Sequence, residues 1–262
     1  MKIRKVYFEN QGYKVESILH LPENKTNSLV ILVHGFTGSI NGPGGLFIKL
    51  AEELASKGFA VLRFNFRFTT DDWSEFHKMT MKGEVSDLKL IINKMSKKYD
   101  KIALVGESMG GSISILAYNE KIKCLVLWYT ALFRRETALA KRFLSEEKLQ
   151  ELEQTGFIKG KKSNGQEYKV GKEFIEEIKN IDLIPYAKKI SSPTLLIHGD
   201  VDDIVPFSHS EILLTILKGP KKLEKIIGAN HAWENEDYTD YNLEAQKLAI
   251  KLTIEWFDKY LK

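Results

Sequence analysis

The chain has 262 residues, 43% of them hydrophobic and 28% charged, enough to bury a sizeable core in one α/β domain with an insertion. Its 39 Lys and Arg against 35 Asp and Glu give a net charge of only +4, and the Lys-Lys pairs at 97–98, 161–162, 188–189 and 221–222 fall on separate elements, which speaks against a nucleic-acid surface. One cysteine, Cys124, excludes an intrachain disulfide, and no apolar run approaches the length of a membrane span.

Met1 to Val15 alternates polar and apolar residues and has no apolar h-region, so no signal peptide and a cytoplasmic location are expected. Residues 2–8 and 13–20 read as two strands joined by Asn10-Gln11-Gly12, a hairpin. After a polar break at Pro22 to Asn27, Leu29 to Val33 is a continuous apolar run, typical of a strand buried on both faces. It ends in His34-Gly35-Phe36-Thr37-Gly38-Ser39. A glycine-rich loop, Asn41 to Gly45, then leads to a helix over 45–57. Phe59 to Phe64 is the next strand, and the polar and aromatic loop Arg67 to Lys78 leads to a helix over 81–98. Ile102 to Val105 is a buried strand and Ser112 to Tyr118 a helix. Between them stands Val105-Gly106-Glu107-Ser108-Met109-Gly110-Gly111. Gly-x-Ser-x-Gly between strand and helix describes a nucleophile elbow, a turn so tight that the residues flanking the serine have no room for side chains. Lys123 to Trp128 is another apolar strand, in which Cys124 serves as a small hydrophobe.

From Tyr129 to about Lys189 the alternation of strand and helix breaks. Arg134 to Gln154 is charged and reads as helical. Phe157 to Lys162 and Glu167 to Val170 flank Ser163-Asn164-Gly165-Gln166, and an Asn-Gly between short runs signals a hairpin. Lys172 to Lys179 is a helix with Phe174, Ile175 and Ile178 on one face. The alternation resumes with a strand at Pro193 to Gly199, a helix at Ser208 to Leu217, a strand at Lys222 to Ile227 and a long amphipathic helix at Leu243 to Tyr260. Such a chain builds a mostly parallel sheet covered on both faces. Right-handed crossovers bring the C-terminal strand ends to one edge, where His34, Ser108, Trp128 and His198 lie.

A serine hydroxyl needs a base to take its proton, and the base needs a carboxylate to orient it. On this architecture their order is Ser, then Asp or Glu, then His. The histidines after Ser108 are His198, His209 and His231. His198 ends a strand and suits a structural hydrogen bond, and His209 starts a helix. His231, in the loop Gly228 to Trp233 after the last strand, stands where the base belongs. For the acid, His198-Gly199-Asp200-Val201-Asp202-Asp203-Ile204-Val205-Pro206 offers three carboxylates, two of them solvated or capping. The oxyanion hole is expected to use the backbone N–H groups of Met109 and of Phe36. The His34 side chain is expected to brace its loop.

His-Gly-Phe at 34–36, Gly-Glu-Ser-Met-Gly-Gly at 106–111, His-Gly-Asp-Val-Asp-Asp-Ile-Val-Pro at 198–206 and the late His231 resemble the α/β-hydrolase superfamily, in order and over most of the chain. Within it the chain resembles the bacterial cinnamoyl and feruloyl esterases and their monoacylglycerol-lipase-like relatives. The likeness extends to the hairpin followed by Val-Gly-Lys-Glu-Phe-Ile-Glu at 170–176. The resemblance implies a mostly parallel, eight-stranded sheet with helices on both faces. It implies a core from residues 1–128 and 190–262, and a small cap from 129–189 that shapes the acyl pocket. Asp202 is then the expected acid. Asp200 directly follows Gly199 and suits a turn-stabilising role, while Asp203, next to Asp202, faces the opposite way in an extended loop. The family pattern His-Gly-x-x-Asp-x-x-Val-Pro also puts its aspartate at 202. One stretch departs from the family. Relatives carry Arg-Gly-x-Gly-x-Ser where this chain has Arg67-Phe68-Thr69-Thr70-Asp71-Asp72, and without both glycines the same tight turn is not expected.

The expected activity is hydrolysis of a small-molecule carboxylic ester through an acyl-enzyme on Ser108, Asp202 and His231. Short-chain or aromatic, hydroxycinnamoyl-type esters are the expected substrates. Trp128, Leu132, Phe133 and Phe143 are expected at the substrate, because they follow the strand that ends beside the elbow. No cofactor, metal, nucleic acid or membrane is called for, and a homodimer is left open. The alternatives are a monoacylglycerol lipase, thioesterase or peptidase on the same triad, or a non-catalytic binding protein on this scaffold.

Overall fold

The computed structural model describes residues 1–69, 72–162, 165–234 and 240–262. Strands β1 (Lys2–Asn10) and β2 (Tyr13–Leu21) form the N-terminal hairpin, followed by β3 (Ser28–Val33), α1 (Leu46–Ser56) and β4 (Ala60–Phe64). Next come α2 (Met81–Met95), β5 (Lys101–Glu107), α3 (Met109–Ala117) and β6 (Ile122–Trp128). Then follow α4 (Ala138–Phe143), α5 (Glu146–Thr155), the hairpin β7 (Phe157–Lys161) and β8 (Glu167–Gly171), α6 (Lys172–Asn180) and α7 (Ile184–Ala187). The chain closes with β9 (Thr194–Gly199), α8 (Ser208–Ile216), β10 (Lys221–Ile226) and α9 (Leu243–Tyr260).

Eight strands form one sheet in the order β1-β2-β4-β3-β5-β6-β9-β10. β2 runs antiparallel to both β1 and β4, and the remaining pairs are parallel. Alternation along each strand divides the core in two. Leu29, Ile31, Leu104, Leu125 and Leu127 join α2 and α3 on one face. Val30, Leu32, Val105, Val126 and Trp128 join α1 and α9 on the other. The strand ends that carry the candidate residues therefore share one edge of a sheet buried on both sides.

Residues 129–189 stand outside this sheet and hold the separate two-stranded sheet β7-β8. The helical stretch expected over Arg134 to Gln154 is divided into a short 3₁₀ turn at Arg134–Glu136, α4 and α5. The breaks have a local cause. The Thr137 hydroxyl accepts from the N–H of Ala140 and the Ser145 hydroxyl from that of Lys148, so each residue caps a new helix rather than continuing the old one. Asn164 of the expected hairpin turn lies outside the described residues, but β7 and β8 pair antiparallel from Phe157 with Gly171 to Lys161 with Glu167.

The loop that departs from the family pattern has a turn of its own over Phe66–Thr69; its Thr70 and Asp71 lie outside the described residues. The Thr69 N–H donates to the Phe66 carbonyl at 3.1 Å, and Phe68 takes φ +67°, a region glycine usually fills. Arg67 holds the turn through a buried, bidentate pair with Asp87, whose carboxylate also accepts from the Arg67 backbone N–H.

Candidate active site

β5 delivers Ser108 to the sheet edge, and α3 begins at the next residue, Met109, three positions earlier than the sequence suggests. Ser108 is held at φ 50°, ψ −120°, strained for a residue with a side chain. The strain is fixed by packing. A Cβ on Gly110 would stand 2.2 Å from the Val33 carbonyl oxygen, so only glycine lets β3 and the elbow approach this closely. On the opposite side, a Cβ on Gly35 would stand 3.0 Å from the Ser108 Cβ and 3.6 Å from the Met109 nitrogen. The loop after β3, with Phe36, thus lies directly against the first turn of α3.

His231 opens a short turn after β10, and its ring completes a chain of contacts. Its Nε2 is 3.2 Å from the Ser108 Oγ, and its Nδ1 is 2.8 Å from the Asp202 Oδ2. Because a carboxylate only accepts, Nδ1 carries the proton and Nε2 is free to receive the serine's. The Asp202 side chain is fully buried and its acceptors are fully used. Oδ1 takes the N–H groups of Ile204 and Val205 at 2.9 and 2.8 Å, and Oδ2 takes His231 and, at 3.2 Å, the Nε2–H of His198. Burial alone would raise this carboxyl's pKa, but the charge and hydrogen bonds of its two histidines hold it below the usual carboxylate range. His231 is shifted the other way. Burial works against its charged form, and Asp202, with lesser help from Glu107 and Glu234, outweighs that and raises its pKa.

The neighbouring acids have other places. Asp200 accepts from the Gly228 N–H at 2.7 Å and so ties the β9 loop to the turn before His231, while Asp203 is exposed. His34 braces its loop. Its ring is near the Gly35 carbonyl at 2.9 Å and receives the Phe66 N–H at 3.3 Å, and burial lowers its pKa to about 4, so it is neutral at physiological pH. Glu107, Tyr129 and Arg134 stand at the site without having been singled out from the sequence. The Glu107 carboxyl accepts from the Gly35 N–H at 3.0 Å and from the Tyr129 hydroxyl at 2.7 Å, and the Tyr129 ring packs edge-on to His231 with centroids 4.7 Å apart. Among the described residues no group of three or more His, Cys, Asp or Glu side chains is placed to hold a metal ion, and no helix is long and apolar enough to cross a membrane.

Residues 18–217 match the model of the family BD-FAE. The chain belongs to that family. Residues 178–261 also match the dienelactone hydrolase family. Est1E from Butyrivibrio proteoclasticus, in its structure with bound ferulic acid, superposes with a TM-score of 0.77 at 22% identity, over 97% of this chain and 99% of that one. The fold is therefore that of the α/β-hydrolase esterases, as its eight-stranded sheet indicates. The uncharacterized protein YfhR of Escherichia coli O157:H7 is 24% identical over 216 residues, which are 80% of this chain and 65% of YfhR. The mitochondrial palmitoyl-protein thioesterase ABHD10 of Homo sapiens is 27% identical over 184 residues, 69% of this chain and 59% of that protein. The chain thus spans under two thirds of the length of these curated relatives.

In this BD-FAE chain a narrow cleft opens at Ser108, with about 450 Å³ of empty space including its solvent-open mouth. Phe36 and Met109 line it beside the serine, Ile204 and Val205 come from the β9 loop, and Arg134, Leu139, Phe174 and Ile178 come from the 129–189 segment. The four residues expected at the substrate are not among its lining. Trp128 has the parity of Cys124 and Val126 on β6, so its ring points to the α1 and α9 face, where its Nε1–H donates to the Thr253 hydroxyl at 3.2 Å. Phe143 is buried behind Phe36, 5.8 Å between ring centroids, in an aromatic cluster with Phe76, Tyr168 and Phe174. Leu132 and Phe133 border a separate depression beside α6, and the Phe133 ring meets His209. Following a strand end in sequence was not enough to place a side chain at the serine.

Proposed function

We propose that the protein is a serine hydrolase that cleaves carboxylic esters through an acyl-enzyme. The observation that carries this reading is the continuous chain from the Ser108 Oγ through the His231 ring to the Asp202 carboxylate, built on a strained elbow. In the proposed reaction His231 Nε2 takes the Ser108 proton as Oγ attacks the ester carbonyl. The carbonyl oxygen becomes an oxyanion, met by the N–H groups of Met109 and Phe36. Collapse expels the alcohol, which leaves with the proton held on His231. Water then attacks the acyl-serine with His231 again as base, releasing the carboxylic acid. Asp202 keeps the Nδ1 proton in place and stabilises the imidazolium.

The 129–189 segment acts in this reading as a cap, since it supplies much of the cleft's apolar wall. A narrow cleft of this size suits short or aromatic acyl groups rather than long chains. Ferulic acid bound to Est1E fits that expectation, and the thioesterase among the relatives makes a thioester the second substrate class to examine. A fluorophosphonate probe should label the wild type and leave Ser108→Ala unlabelled, and the variant should keep its fold and lose esterase activity. An unlabelled wild type, or an active Ser108→Ala protein, refutes the reading. Short p-nitrophenyl esters, methyl hydroxycinnamates, monoacylglycerols and acyl thioesters, compared by kcat/KM, assign the substrate class.

A further inference from the structure

Arg134 is 6% exposed, and its Nε and Nη2 have no hydrogen-bond partner. Its position makes this unusual. It lines both the cleft at Ser108 and the depression beside α6, and among the described residues lining the Ser108 cleft it is the only charged side chain. Glu177 and Glu84 are near enough to act on it by charge, but no carboxylate among the described residues forms an ion pair with it. Glu177 spends its two oxygens on the N–H groups of Met81 and Lys82, at the start of α2. Glu84 is fully buried, and burial, aided by Asp87 and Glu177, raises its pKa well above the usual range, which favours its neutral form. Burial lowers the Arg134 pKa to about 10, against the opposing pull of the Glu177 and Glu84 charges, so the guanidinium is still charged at neutral pH. A desolvated cation with unused donors is costly to keep in an apolar wall unless something completes it. The other side chains lining the cleft do not. Phe36, Leu139, Phe174 and Ile178 are apolar, and the Thr137 hydroxyl is committed to the Arg134 carbonyl and the Ala140 N–H.

We propose that Arg134 binds a carboxylate carried by the acyl group of the substrate, so that the cleft is built for half-esters of short dicarboxylic acids. This rests on the esterase reading above and narrows it. The acyl chain lies along the apolar wall from Ser108, and its terminal carboxylate completes the guanidinium with charge-assisted hydrogen bonds. The acyl side is preferred because Phe36 and Met109, whose N–H groups flank the reacting carbonyl, line the same cleft. Arg134 is thus a specificity-determining residue. Nothing in the proposed acyl-transfer steps passes through it.

The test compares kcat/KM for monoethyl glutarate, ethyl 5-methylhexanoate, which carries an isopropyl group in place of the carboxylate, and 4-acetoxybenzoate, which carries the carboxylate on its leaving side. Wild type should favour monoethyl glutarate over both. In Arg134→Met the ratio of the half-ester to the neutral ester should fall on the order of 100-fold, and Arg134→Lys should restore part of it. A merely structural role for Arg134 would lower both substrates in parallel and leave the ratio unchanged. Binding of monoethyl glutarate to Ser108→Ala, followed by calorimetry, is read without turnover and should vanish when Arg134→Met is added. A neutral-ester preference with no such binding overturns the proposal and leaves the esterase reading standing. Binding through Arg134 with no ester turned over keeps the carboxylate site and sinks the esterase reading. A preference for 4-acetoxybenzoate overturns the acyl-side assignment.

Discussion

Replacing Asp202 with asparagine changes few atoms and leaves no arrangement of hydrogen bonds that works. The carboxylate receives four donors: the N–H groups of Ile204 and Val205 on Oδ1, and the ring N–H groups of His231 and His198 on Oδ2. An amide offers one oxygen and an NH₂ group. If the oxygen keeps Ile204 and Val205, the NH₂ faces two imidazole N–H groups. If the amide flips, the NH₂ faces two backbone N–H groups instead. The least costly relief is for His231 to move its proton to Nε2 so that Nδ1 can accept. That puts a proton where the Ser108 hydroxyl must deliver its own, and the base is lost. The fall in kcat should be on the order of 10⁴, or about 5.4 kcal/mol of transition-state stabilisation, as in serine-protease triads. Two charge-assisted hydrogen bonds are lost as well, so unfolding should be easier by on the order of 2–4 kcal/mol. The assay is steady-state hydrolysis of one ester by Asp202→Asn, Asp200→Asn and Asp203→Asn, beside urea denaturation of each. Asp200→Asn should lose some stability, since Asp200 holds the Gly228 N–H, and Asp203→Asn should resemble the wild type. If Asp202→Asn keeps its kcat within about tenfold while Asp200→Asn or Asp203→Asn collapses, the orienting role belongs to another carboxylate.

Further predictions concern His231 and Glu107. The proposed mechanism uses the neutral His231 ring, whose pKa is raised above the ordinary 6.5, so the acid limb of kcat/KM should have its midpoint above pH 6.5; a midpoint near pH 5 would point to another base. The same shift means that the stabilisation from the charged His231–Asp202 pair is complete below pH 6.5 and disappears as pH rises through the folded-state value, which denaturation at several pH values can follow. Glu107→Gln removes a carboxyl that raises the His231 pKa, so the acid limb should move to lower pH. Glu107→Ala also frees the Gly35 N–H and with it the Phe36 loop, so kcat should fall by about 10² with KM changed much less. An unmoved limb in Glu107→Gln together with an unchanged kcat in Glu107→Ala would remove the positioning role.

The fold was legible because it is written in local patterns. Leu29 to Val33 is uninterrupted and apolar because β3 has parallel neighbours on both sides and a helical layer on each face. Gly-x-Ser-x-Gly is legible for a similar reason, since close approach at Gly110 forbids a side chain whatever the rest of the molecule does. Arg134 to Gln154, read as helical, is divided at Thr137 and Ser145 into separate helices. Both sit inside a helical pattern, and both become caps, because a hydroxyl that can satisfy a free backbone N–H ends one helix and starts another at little cost.

The order Ser108, Asp202, His231 could be read for a topological reason: each follows a strand of one mostly parallel sheet, and such strands point their C-terminal ends to one edge. What surrounds the three could not. Glu107 meets Gly35, 72 positions away, and the Nε and Nη2 of Arg134 lack hydrogen-bond partners while the Glu177 carboxylate accepts from N–H groups at the start of α2. No local pattern encodes whether a distant partner is present. Trp128 is a different case, because its parity on β6 already assigned it to the face of Cys124 and Val126. A strand end gives a residue its position along the sheet edge, and parity decides which side of the sheet its side chain enters. Both are needed before an aromatic residue beside a nucleophile can be given to the pocket. On β6, Leu127 enters the opposite face, shared with α2 and α3, and beyond the strand Ala131 lines the cleft.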